Sequence, residues 1–435
     1  MGLLSEGEFD KKLVCSFIFL SLSSRVYRPE VFVVDPKGVK IYSEIGPLKR
    51  VLLHCPGKEL DNLTPIYMKS LLFEDIPDRV AAAKEHHAFS EVLRNAGAEI
   101  YYVTELLADV LKDEEVRRTF LVEFLKEARV PSHTSPEIFE YLNSIEDLSQ
   151  LAEVVMSGLR CEDFVFNDTQ LDWKKTLLLE PMPNLYFTRD PMTAVGCGIS
   201  INCMWAQTRR RETLISHFIT KYHALFKGVP HYCRRGENAT LEGGDVLVLS
   251  PQVIAVGVSQ RTELAAVKAF ARNVLNSGDS FKHILVLSIP EIRAFMHLDT
   301  VFTMIDRDIF VVHQEIEESL EVSDITIDTQ GELCTKSIVD NLETTLKRYL
   351  GLSAVELIRC GGTSRVDAQR EQWNDGSNTL AIAPGEVIVY DRNRVTNRLL
   401  REAGVVLHEI PSSEVSRGRG GPRCMSQPLW REDVN

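Results

Sequence analysis

The stretch Ser416-Arg-Gly-Arg-Gly-Gly-Pro-Arg-Cys-Met425 sets one cysteine behind three arginines in a glycine-rich turn. Nearby positive charge lowers a thiol's pKa, and glycines let a substrate approach the backbone closely. Cys424 is therefore the first candidate nucleophile. Two plainer readings compete. Free cysteine is among the most buried residue types and usually acts as a small hydrophobe. Arg-Gly-Arg-Gly-Gly also has the composition of an RNA-binding tract, but such tracts repeat, whereas this one is single and runs on into Met425-Ser-Gln-Pro-Leu-Trp430.

Other polar residues cluster where apolar runs begin. In His297-Leu298-Asp299, alternate residues of an expected strand project from one face, so imidazole and carboxylate could address one ligand. A histidine oriented by a carboxylate is a general acid/base; a surface histidine at a strand end fits equally well until a cysteine is placed beside it. Glu242-Gly243-Gly244-Asp245 puts carboxylates on either side of two glycines, and Asp190 precedes Pro191, a common turn pattern. Three acids, one histidine and one cysteine together would suit attack on a cationic planar carbon, because carboxylates bind a guanidinium bidentately.

Positioning such a set requires repeated elements, and five segments share one layout of polar or glycine start, apolar strand, tight turn and second apolar strand. They are residues 46–56, 187–201, 241–257, 297–312 and 376–390. Amphipathic stretches such as Arg261 to Leu275 and Asn341 to Tyr349 lie between them, so the unit reads strand, strand, helix, strand. Its recurrence predicts modules arranged about a centre rather than a doubly wound sheet. Residues 105–180 break the pattern: Val116, Phe120, Leu121, Phe124 and Leu125, then Phe139, Leu142, Ile145, Leu148, Leu151 and Val155, recur at helical spacing and predict a helical insertion.

Length suits two or three domains or one large α/β domain with an insertion. A hydrophobic fraction of 44% with 26% charged residues is that of an ordinary globular chain. The net charge of -13 excludes a general nucleic-acid or anionic-membrane surface and favours small cations as partners. Nine cysteines, scattered and without a Cys-x-x-Cys pair, predict a reducing cytoplasm and no structural metal. Lys11-Lys12 followed by the apolar run Leu13 to Leu22 has the start of a signal peptide, but the run is too short to span a bilayer and lacks an Ala-x-Ala cleavage site. Residues 1–36 are expected to be a poorly ordered N-terminal extension, with 37–104 and 181–435 forming the α/β catalytic domain around the insertion at 105–180.

Phe187-Thr-Arg-Asp-Pro191, Leu241-Glu-Gly-Gly-Asp245, His297-Leu-Asp-Thr-Val-Phe302 and Arg417-Gly-Arg-Gly-Gly-Pro-Arg-Cys424 together resemble the motif set of the arginine deiminases, in order, from Val39 onward. Ile41 to Leu60 and Leu71-Leu-Phe-Glu-Asp-Ile-Pro77 are also similar to that family. The resemblance implies a five-bladed pseudosymmetric α/β propeller of ββαβ modules with an inserted helical domain, as in other guanidine-modifying enzymes. It implies hydrolysis of L-arginine to L-citrulline and ammonia without metal or organic cofactor. Cys424 would attack the guanidinium carbon, and His297 would protonate the departing ammonia and then activate water. Asp190 and Asp299 would grip the guanidinium and Glu242 would orient His297. Arg209, Arg261 and Arg419 would bind the substrate carboxylate, with Asn184, Phe187 and Gly418 lining the pocket. The partner expected is L-arginine, with no nucleic acid or membrane, and the assembly expected is a homo-oligomer in the cytoplasm. Pro422, where a further glycine would be unremarkable, does not touch this chemistry.

The flanking arginines favour a thiolate, yet three carboxylates oppose it, since like charges disfavour each other's ionisation. Cys424 is thus expected to be protonated in the empty enzyme and ionised by the bound substrate cation. Competing readings are a related agmatine or methylarginine hydrolase, an amidinotransferase, or a catalytically dead paralogue. Arg209, Arg261 and Arg419 disfavour agmatine, and a dead paralogue would lack a cysteine, histidine or acid that this chain retains.

Overall fold

Strand pairs of one pattern account for most of the sheet structure. In a computed structural model, which describes residues 38–130, 132–163, 176–236, 238–317 and 320–434, the unit is two antiparallel strands, a connecting helix, and a third strand parallel to the second. Met192–Val195 and Gly198–Ile201 pair across a two-residue turn, helix Arg210–Tyr222 follows, and His231–Cys233 lies alongside the second strand. Val246–Ser250, Val253–Val258, helix Leu264–Leu275 and His283–Ser288 repeat it. So do Leu380–Ala383, Glu386–Tyr390, helix Arg394–Glu402 and Val406–Ile410. Parallel neighbours need a long crossover, which the helix supplies.

Phe302–Met304, Ile309–Val312, helix Leu342–Leu350 and Glu356–Arg359 make another unit. Its crossover also carries a hairpin, Glu321–Ile327 with Leu333–Ile338, which the sequence reading did not anticipate. The hairpin leaves its own module and extends the neighbouring sheet by pairing with His283–Ser288, giving five strands there.

The fifth module corrects the expectation for residues 46–56. That segment holds one strand, Leu48–Leu53, and its antiparallel neighbour is Gln427–Arg431 from the other end of the chain. Helix Arg79–Asn95 and strand Glu99–Tyr102 complete the unit. The five ββαβ modules form the expected propeller. The segment at 297–302 also departs from expectation: Leu298–Thr300 is a short 3-10 turn ahead of strand Phe302–Met304, so His297 and Asp299 do not alternate along a strand.

Helices Val103–Val110, Glu114–Glu127, Ser135–Asn143 and Leu148–Ser157 lie between the fifth and first modules. Asp113 and Asp147 accept backbone N–H bonds at two of their N-termini, satisfying donors the helix cannot pair itself. Their apolar stripes are core: Phe120, Phe124 and Leu151 are fully buried, and the Phe120 ring meets Phe218 edge-on at 5.1 Å, joining these helices to the first module. Residues 1–36, including the Leu13 to Leu22 run, lie outside the described residues. Among the described residues no helix is long and apolar enough to cross a membrane.

Candidate active site

The start of the first strand in each module carries a polar side chain, and the modules turn these five starts toward one another. Asp190 precedes Met192–Val195, Glu242 precedes Val246–Ser250, His297 and Asp299 precede Phe302–Met304, Asn378 precedes Leu380–Ala383, and Cys424 precedes Gln427–Arg431. All six are buried. Pseudosymmetry therefore builds the site, each module contributing from an equivalent place.

His297 is held by acids. Its Nε2 donates to Glu242 Oε2 at 2.8 Å, and Nδ1 lies 3.8 Å from Asp190 Oδ1. Burial works against the charged ring, but the Asp190 charge and the Glu242 hydrogen bond outweigh it and hold the pKa at about 9. Burial likewise opposes ionisation of Glu242, and the His297 bond and the Arg261 charge overcome it, bringing the carboxyl down to about 2. The Trp205 N–H donates to the other Glu242 oxygen at 2.9 Å. Gly244 packs directly on the imidazole: a Cβ there would stand 2.8 Å from its Cγ and Nδ1. Asp245 supports the histidine turn from behind, accepting Leu298 N–H at 2.8 Å and the Ser259 hydroxyl at 2.7 Å.

Cys424 is 3% exposed. Asn378 grips it twice, accepting its backbone N–H at 3.1 Å and donating Nδ2 to the sulfur at 3.2 Å, while the thiol donates to Asp299 Oδ2 at 3.5 Å. Burial and then the charges of Asp299, Asp190 and Asp375 push this thiol well above its ordinary pKa. The three neighbouring arginines do not offset that, because they point in different directions. Arg417 lies at the surface with Asp75 and Glu414. Arg423 reaches behind the site, donating Nη1 to Asp299 Oδ2 at 2.9 Å, and Nε and Nη2 to Glu44 at 3.0 and 3.1 Å. Arg419 alone of the three faces the cavity.

Asn184, Phe187, Asp190, Arg209, Arg261, His297, Gly418, Arg419 and Cys424 line one cavity, together with Leu72, Arg293 and Met296. Glu242 and Asp299 stand immediately behind it, bonded to His297 and Cys424. Asp299 Oδ1 is buried and, among the described residues, has no hydrogen-bond partner. Gly418 is required where it is, because a Cβ would lie 2.0 Å from the Tyr186 hydroxyl. Arg209 differs from the other two cavity arginines: it is bonded to Glu212, to Asp190 Oδ2 at 2.7 Å, and to the carbonyls of Asn184 and Phe187. The Asn184 amide is likewise given to the Leu71 carbonyl at 2.7 Å. Donor atoms of Asp190, Glu242 and His297 lie within 4.8 Å of one another, a spacing a cation could use, but they already pair with each other and with Arg209.

Asn378, Glu44 and Asp375 are the site residues that the sequence reading passed over, and Arg423 is one it read only as a charge favouring the thiolate. Asn378 falls at the start of the segment 376–390, as Asp190, Glu242 and His297 do in three of the other segments, so the repeat itself was the available signal. Glu44 and Arg423 are 379 positions apart, and nothing local links them. Asp375, buried with neither oxygen hydrogen-bonded among the described residues, is pushed up to about 7 by burial, with Arg419 its foremost cationic neighbour.

An arginine deiminase from Clostridium perfringens is 49% identical over 412 residues, spanning 92% of this chain and all of its own length. One from Streptococcus uberis is 46% identical over 405 residues, spanning 91% of this chain and 98% of that protein. The fold is shared with a dimethylarginine dimethylaminohydrolase from Pseudomonas aeruginosa (TM-score 0.51, 15% identity, 88% and 99% of the two chains). It is also shared with an amidinotransferase of saxitoxin biosynthesis from Microseira wollei (TM-score 0.53, 12% identity, 91% and 98%). The model of the arginine deiminase family matches residues 69–431, and with relatives this similar over nearly their whole length, the chain belongs to the arginine deiminase family.

Proposed function

We infer that the protein is an arginine deiminase, hydrolysing L-arginine to L-citrulline and ammonia through an amidino intermediate on Cys424. The observation that carries the residue assignments is one buried cavity lined by a thiol, a histidine that holds its proton at neutral pH and the Asp190 carboxylate, with the Asp299 carboxylate bonded to the thiol immediately behind it. Such an acid-rich pocket attracts a guanidinium, and Asp299 Oδ1 is an acceptor still awaiting a donor.

In the first half-reaction the Cys424 thiol, its proton released to solvent as the substrate cation binds, bonds through sulfur to the guanidinium carbon, and the tetrahedral adduct expels one terminal nitrogen. His297, protonated beforehand, supplies the proton that lets it leave as ammonia. A water then enters, gives a proton to the now neutral His297, and adds to the same carbon. Collapse of that adduct breaks the carbon–sulfur bond while its hydroxyl proton passes to the departing sulfur, releasing citrulline and restoring the Cys424 thiol. Glu242 keeps the ring oriented through both proton transfers, and Arg261 and Arg419 receive the amino-acid carboxylate. Arg209, with its donors engaged, braces Asp190.

Colorimetric measurement of citrulline from L-arginine, with chelator present and agmatine and methylarginine in parallel, tests the reaction. Activity on L-arginine that Cys424→Ala abolishes while L-arginine still binds is the result expected; turnover by that variant would refute the nucleophile. The proposal includes cytoplasmic residence, suited to the exposed thiols of Cys55, Cys197 and Cys334, and a homo-oligomeric state that sedimentation would check.

A further inference from the structure

Arg261 and Arg419 are held in a way that Arg209 is not. Each lays its guanidinium on the face of an indole: Arg261 is 4.8 Å from the centre of the Trp205 ring, and Arg419 is 3.4 Å from that of Trp373. The two tryptophans come from different modules, Trp205 after strand Gly198–Ile201 and Trp373 at the end of helix Arg365–Trp373. Both are 45% exposed, a large apolar surface to leave in water without a use.

An aromatic face and a carboxylate both attract a guanidinium, but they leave it in different states. A carboxylate takes the in-plane N–H donors, as Glu212 and Asp190 do with Arg209. A ring takes the flat face and leaves every donor pointing outward. Among the described residues, no nitrogen of Arg419 has a hydrogen-bond partner, nor does Nε of Arg261, whose nearest anion is Glu242 Oε2 at 3.8 Å. Buried donors without partners are costly, and these two sets open onto the cavity that holds Cys424. Arg419 is further constrained by a left-handed backbone, at φ 64°.

We propose that Trp205 and Trp373 are specificity-determining residues: they fix Arg261 and Arg419 with free donors, so that the site selects guanidinium compounds bearing an α-carboxylate. The assignment rests on the reading above, in which these arginines bind the amino-acid end. Trp205 also donates its backbone N–H to Glu242, a bond that replacing the ring leaves in place.

The test measures calorimetric Kd values for L-arginine and for agmatine, which lacks the carboxylate, in the Cys424→Ala background. Trp205→Leu and Trp373→Leu should each weaken L-arginine binding about fivefold and agmatine binding less than about twofold. Equal losses for both ligands, or no loss for either, overturn the proposal. If the background protein itself binds agmatine as tightly as L-arginine, the carboxylate-clamp reading has failed and the proposal falls with it. Discrimination in the background that the tryptophan variants leave unchanged sinks the proposal alone. Should a leucine variant lose its native melting transition, the phenylalanine variant carries the test, with an expected drop of about twofold in the agmatine-to-arginine Kd ratio; an unchanged ratio overturns the proposal.

Discussion

Asp299 presents one oxygen to the sulfur of Cys424, at 3.5 Å, and that oxygen is the one already bonded to Arg423 at 2.9 Å. The carboxylate thus divides its work, with Oδ2 committed to the protein and Oδ1 without a hydrogen-bond partner among the described residues. Its charge also bears on the thiol, which burial and this carboxylate together push well above the ordinary cysteine range.

The thiol should therefore be protonated in the free enzyme and ionise when a cation fills the site. A non-reactive guanidinium ligand should raise the ultraviolet thiolate absorbance at constant pH, and Asp299→Asn should do so without ligand. A signal indifferent to both would show that the charges around Cys424 do not control it.

The His297–Glu242 pair makes stability depend on pH in two directions. Glu242, lowered from 4.5 to about 2, contributes stability that is complete above 4.5 and lost as pH falls through 2. His297, raised from 6.5 to about 9, contributes stability that is complete below 6.5 and lost as pH rises through 9. Glu242→Gln should cost most between these ordinary values, about 3 kcal/mol for one half of a buried pair, with the difference shrinking toward pH 9. Denaturant melts of both proteins across pH measure this; a constant difference contradicts the pairing.

Gly244→Ala should leave the fold intact and displace the imidazole, since the new methyl would meet it at 2.8 Å. A shift of the acid/base group by about 1 Å costs on the order of a hundredfold in rate. Steady-state kinetics should show kcat falling by that order with KM less affected; a wild-type kcat would mean the ring is not where catalysis needs it.

Arg423→Met should destabilise the protein by about 3–5 kcal/mol, because Glu44 and Asp299 would lose the cation they share. Adding Glu44→Gln should recover part of that loss, since it removes one of the stranded charges. Melting temperatures of the two single variants and the double variant form a cycle, and strict additivity would argue against an energetic link.

Four of the repeated segments were legible because both of their strands are contiguous and joined by short turns, as at Gly196 and Gly385, where positive φ marks the reversal. The fifth was not, since Leu48–Leu53 finds its partner at Gln427–Arg431, with all four other modules between them in the sequence. The same reasoning applies to the site. Cys424 stood out behind its arginines and His297 beside Asp299, whereas Glu242 and Asp190 were weak signals singly and gained their weight from the joint resemblance of the motifs to the arginine deiminase set. Asn378 is a neutral amide whose value depends on the sulfur beside it. The positive charge of Arg423 was visible, but its direction was not, and direction decides whether it activates the thiol or braces Asp299.

Cys424, the proposed nucleophile, stands three residues before strand Gln427–Arg431, which pairs with Leu48–Leu53 to complete the fifth module. Closing the ring and delivering the sulfur to its acids are thus a single event in the life of the molecule. A chain emerging from a ribosome could complete four modules and still possess no catalytic power, and during refolding the return of citrulline production would time the moment at which the circle shuts.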